Sequence, residues 1–163
     1  MKWDYILSDD WNRVFLHESG HALMAVLEGI PCYGVFFQND VKKACTLIQP
    51  LPNPSQYTHG QYLFLAAGSA AEMTKYSNPD FNGTRADRKL FGTASYPEGI
   101  AAAHKVLAGK SELLKLLHAR ITVNYKQAGS DFKRLTQCDK SIGNAVKKVG
   151  VLLSKIELYD ITK

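Results

Sequence analysis

The chain has 163 residues, 45% of them apolar and 21% charged, and a net charge of +5. That length fits one domain and lets folding bury roughly 70% of the surface of the extended chain, so a disordered polymer is excluded. Residues 1–100 hold 8 Lys/Arg against 10 Asp/Glu, while residues 101–163 hold 12 against 5. The basic excess in the final third comes without zinc-finger spacing or an aromatic RNA-binding motif, and it reads as a solvated helical face. No apolar run approaches the ~20 residues of a membrane span. Asp4, Asp9 and Asp10 interrupt any signal-peptide core. Cys32, Cys45 and Cys138 form no spaced pair, so free thiols and a cytoplasmic setting are expected.

The first element is a long helix over about 9–28. Ser8 is placed to cap it, Asp9 and Asp10 suit the positive end of its dipole, and Gly29 and Pro31 stop it. Its apolar residues lie on more than one side, which predicts a helix buried by neighbours. Two strand candidates follow, Cys32 to Gln38 and Cys45 to Ile48, with Asn39-Asp40 opening a polar turn between them. Pro50, Pro52 and Pro54 make a stiff connection. A second helix is expected over about 55–75, lined with small residues that let another helix come close. Ser77-Asn78-Pro79-Asp80 breaks it. A third begins around Asn82-Gly83-Thr84 with Asp87 in its early turns. Further helices are expected over about 98–107 and 111–127. Residues 131–148 read as helix, and 151–161 fit helix or strand equally. The fold class is α+β, mainly α-helical, with a small β-hairpin or short sheet beside the first helix.

Residues 17–21 read His-Glu-Ser-Gly-His. Positions four apart share a helix face, so both imidazoles can address one metal ion. Zinc accepts neutral imidazole nitrogens. Glu18 sits about 100° round the helix from His17, where its carboxylate can serve as base toward a metal-activated water. This is the HExxH pattern of zinc peptidases. Two histidines and a glutamate in an apolar helix make an expensive core unless each has a partner. Gly20, unfavourable inside a helix, points to close approach by another element. The longer metzincin pattern is absent, since Met24 and Leu27 stand where it needs Gly and His. A third ligand must come from elsewhere, with His59, Glu72 and Asp87 as candidates.

Three blocks together resemble the FtsH-type zinc metallopeptidase domain, the protease half of membrane-bound ATP-dependent proteases. Residues 17–23 resemble its HEAGHAL segment. Residues 66–72, Ala-Ala-Gly-Ser-Ala-Ala-Glu, resemble LAGRAAEE. Residues 83–88, Gly-Thr-Arg-Ala-Asp-Arg, resemble GASND. The blocks keep the family's order and cover about residues 11–95. The resemblance implies His17, His21 and Asp87 as zinc ligands, Glu18 as the catalytic base and Glu72 as a residue supporting the site. It implies protein or peptide substrates, and it raises homo-oligomeric assembly, since the relatives form rings. Ser69 replaces the family's arginine, and Met73 replaces the second glutamate. No phosphate-binding loop GxxxxGK[ST] is present in the sequence. Unfolding driven by ATP would therefore come from a separate ATPase or a full-length FtsH-type protease. The expected function is zinc-dependent endopeptidase activity. The alternative is a non-catalytic relative that binds or regulates such a partner.

Overall fold

The computed structural model describes residues 9–38, 43–79 and 84–122. The expected cap at Ser8, the turn at Asn39-Asp40, Cys138 and the elements placed beyond 122 lie outside those residues. The chain is mainly helical. In order it forms α1 (Asp9–Leu27), β1 (Cys32–Gln38), β2 (Lys43–Ile48), a 3-10 turn (Pro54–Gln56), α2 (His59–Glu72), α3 (Arg85–Phe91), α4 (Tyr96–Ala108) and α5 over 111–122. No described helix is long and apolar enough to cross a membrane.

Helix α1 ends as its sequence requires. Gly29 takes φ +68°, which a side chain would disfavour. The turn lets Ile30 N–H reach the Ala25 carbonyl and Gly29 N–H reach that of Val26, a Schellman closure of the helix's free carbonyls. Helix α2 starts four residues later than its composition suggests. Pro54–Gln56 forms the 3-10 turn, Tyr57 is extended, and Thr58 caps the helix. The Gln61 N–H donates to Thr58 Oγ1 and the Thr58 N–H donates to Gln61 Oε1, a reciprocal capping box.

The centre of the fold is the α1–α2 crossing. A side chain at Gly20 would run into the main chain of Ala67 and the methyl of Ala71, so the two backbones touch there. Residues 63–72 of α2 are all buried. Around the crossing lies a core of Phe15, Leu23, Met24, Leu65, Leu107, Leu114 and Leu117, to which α4 and α5 supply the outer wall. Each of these large apolar side chains contributes about 1.5–3 kcal/mol by leaving water.

Strands β1 and β2 pair antiparallel, with Val35 opposite Thr46 and an irregularity between Cys32 and Gly34. Residues two apart on a strand share a face, and Thr46 and Ile48 both turn toward the first helix and its cleft. Cys32 is in no disulfide among the described residues. Helix α3 is short and is held by aromatic contacts at its end. Phe91 meets Tyr62 of α2 and Tyr96 of α4 edge to face, with ring centroids 5.1 and 5.5 Å apart. Tyr62 in turn meets Tyr57 at 5.2 Å.

Candidate metal centre

His17 and His21 stand one turn apart on the buried face of α1, with rings 4.7 Å apart and 72° to each other. Each ring is oriented from behind through Nδ1. The His21 Nδ1–H donates to the Phe64 carbonyl at 2.7 Å. That oxygen can only accept, so Nδ1 carries a proton, and in the neutral ring that binds an ion the Nε2 lone pair faces forward. The His17 Nδ1–H donates to Glu72 Oε2 at 2.8 Å, with the same result.

The two Nε2 atoms lie 3.1 Å apart. Asp87 Oδ2 closes the triangle, 3.0 Å from His17 Nε2 and 2.9 Å from His21 Nε2. Comparison of the chain with protein-family models, curated proteins and solved structures gave no match.

The geometry of the triangle fits a metal ion. Donors about 2.0–2.1 Å from a tetrahedral zinc stand about 3.3 Å from one another, and the triangle is a few tenths of an ångström smaller. Gly68 of α2 forms its floor, since a methyl group there would overlap Nε2 of both histidines. The donor set of His17, His21 and Asp87 can hold a metal ion. Two imidazole nitrogens and one carboxylate oxygen suit divalent zinc, iron or cobalt.

Electrostatics point the same way. Burial disfavours charge on His17, but the hydrogen bonds it donates to Asp87 and Glu72 outweigh that and lift the imidazole to about 10. His21 is likewise raised, with burial opposed by Asp87. Burial also works against the Asp87 charge, yet the two imidazoles hold its carboxyl far below the usual range. The site prefers positive charge, and a metal ion supplies it in place of protons.

Glu18 is 5% exposed and lines the same cleft as the triangle. Thr46 Oγ1 donates to its Oε2 at 2.6 Å. The cleft, about 560 Å³ and open on one side, has walls from Ile48, Leu51, Pro52, Tyr57, Phe64, Leu65 and Leu90.

Of the three candidates for third ligand, Asp87 alone joins the histidines. Glu72 is 1% exposed and sits behind His17, bonded to it and to Arg13. His59 opens α2 in an exposed position, nine residues and about 13 Å along the helix from Gly68. Three contributors were not singled out from the sequence. Thr46 carried no signal, because its partner lies 28 residues away on another element. Gly68 appeared only as one small residue among several. Arg13, four residues before His17 on the same face, carried a spacing signal.

Proposed function

We propose that the chain is a zinc-dependent metalloendopeptidase of the FtsH type that cleaves peptide bonds in protein or peptide substrates. The observation that carries this is the convergence of His17 Nε2, His21 Nε2 and Asp87 Oδ2 on one point, in a cleft shared with Glu18. Zinc, when bound by those three residues, supplies a Lewis acid that acidifies a water molecule and polarises a scissile carbonyl.

The remaining work falls to the chain's own groups. The Glu18 carboxylate accepts the proton of the attacking water and returns it to the leaving amine nitrogen. Thr46 holds one oxygen of that carboxylate and so limits its rotation. Glu72 and the Phe64 carbonyl keep the two imidazoles in the tautomer that turns Nε2 forward. The apolar wall formed by Ile48, Leu51, Phe64 and Leu65 excludes water from one side and strengthens these polar contacts.

In this reading the hairpin of β1 and β2 serves as the rail against which an extended substrate lies, since strand addition supplies main-chain hydrogen bonds without reading sequence. Flexible or unfolded chains are the natural substrates, delivered where needed by a separate ATPase. We place this work in the cytoplasm, where a Cys32 outside any disulfide stays reduced.

Metal analysis of the native protein beside Glu18→Gln, with casein digestion as readout, tests the proposal. About one zinc per chain is expected in both proteins, with digestion by the native form alone. Zinc in both and digestion in neither would replace the peptidase reading with a partner-binding one. Iron in place of zinc would overturn the assignment of the ion.

A further inference from the structure

Behind the candidate metal centre lies a second constellation that the reaction itself does not require. Arg13 Nε donates to Glu72 Oε1 at 2.6 Å, while the other oxygen of that carboxylate accepts from His17 Nδ1. Arg13 Nη2 donates to the main-chain carbonyl of Asn78. The guanidinium lies over the Tyr76 ring, 4.7 Å from its centroid.

These contacts have a common consequence. Glu72 is almost fully buried, and a buried carboxylate needs both charge compensation and hydrogen bonds to stay where it is. Arg13 supplies the compensating charge and fixes the tilt of the carboxylate, which in turn fixes the plane of the His17 ring. Asn78 lies in the turn region that follows α2, nine residues before Asp87 in the sequence. One side chain on α1 thus braces the partner of one donor and ties it to the turn beyond α2.

We propose that Arg13 is a positioning residue for the metal centre, orienting His17 through Glu72. This rests on the metal-site reading above but not on proteolysis. Arginine suits the task because its planar fork reaches two acceptors at once and stacks on an aromatic face. Lysine offers a single point charge.

The test is zinc affinity of the full-length protein, measured by competition with a chromophoric chelator, for Arg13→Met, Arg13→Lys and Glu72→Gln. Folding is checked by circular dichroism. Partners that orient a ligating histidine typically contribute 10–100-fold in metal affinity, and Arg13→Met should fall in about that range, with Arg13→Lys between it and the native protein. Because Arg13 acts largely through Glu72, adding Arg13→Met to Glu72→Gln should weaken binding much less than Arg13→Met does alone. The visible spectrum of the cobalt-substituted protein should shift in Arg13→Met, a change that loss of stability alone does not produce. If Arg13→Met fails to fold, Arg13→Lys decides. Unchanged affinity and an unchanged cobalt spectrum in a folded Arg13 variant, beside tight native binding, would overturn the positioning role alone. A native protein that binds no divalent ion would overturn the metal-site reading and this inference with it.

Discussion

The two histidines and the aspartate reach the same point by different structural routes. His17 and His21 ride on α1 where it is pressed against α2 so closely that main chain meets Gly20, and residues 15–25 of α1 and 63–72 of α2 are all buried. Asp87 rides on α3, a helix of seven residues with no buried member, held through the Phe91 ring wedged between Tyr62 and Tyr96. The first arrangement is fixed by backbone packing, which tolerates almost no change of volume. The second rests on side-chain contacts, Phe91 among them, so it can be loosened without dismantling the core. A two-histidine platform is built into the crossing, and its completion is left to a more adjustable element.

The contrast can be broken at its rigid side first. Gly68→Ala puts a methyl group onto both Nε2 atoms, and the expected result is loss of metal binding with about 2 kcal/mol of destabilisation, read by isothermal titration and chemical denaturation. Next comes the adjustable side. Phe91→Ala should weaken zinc affinity through Asp87 while near-ultraviolet signals of the α1–α2 core persist. Equal loss of both would show that the two regions are not separable. Thr46→Val removes the hydroxyl donor to Glu18 and should lower turnover about tenfold, close to 1.4 kcal/mol of barrier, with zinc affinity unchanged.

The smallest expected effect lies at the far end of α1. Burial, joined by the nearby Lys75 charge, depresses the pKa of His118, against the hydrogen bond its Nε2 makes to the Asn12 carbonyl. Its folded value lies below the unfolded value of about 6.5, so below that pH the unfolded chain binds the proton more readily. The stability supplied by neutral His118 is complete above the unfolded value and is lost as pH falls through the folded one. Denaturation midpoints measured down to pH 5 should fall less steeply for His118→Gln than for the native protein.

The sequence was most legible where one residue type dictates local geometry. Gly29 and Pro31 end α1 within a residue of where they predict, and the spacing of His17 and His21 turns both rings to one side. The capping pair Thr58 and Gln61 was equally present in the letters, but the prolines and Ser55 drew the expected start of α2 too early. The third candidate donor was a matter of resemblance, because nothing local to Asp87 separates it from His59 or Glu72. That choice is made by a helix crossing and an aromatic wedge, both of which depend on distant residues. Thr46 illustrates the limit. Its hydroxyl matters only because a strand passes beside α1, and strand alternation alone cannot name what it will face.

The separation of the donors along the chain has its own thermal consequence. His17 and Asp87 are 70 residues apart, so a shared ion would act as a staple across nearly half the polypeptide. An ion held only when these distant donors converge binds the folded chain and not the unfolded one, so its binding free energy adds to stability. Chelation should therefore lower the melting temperature of the α1–α3 region as a whole, and the ion would belong to the architecture as much as to the chemistry.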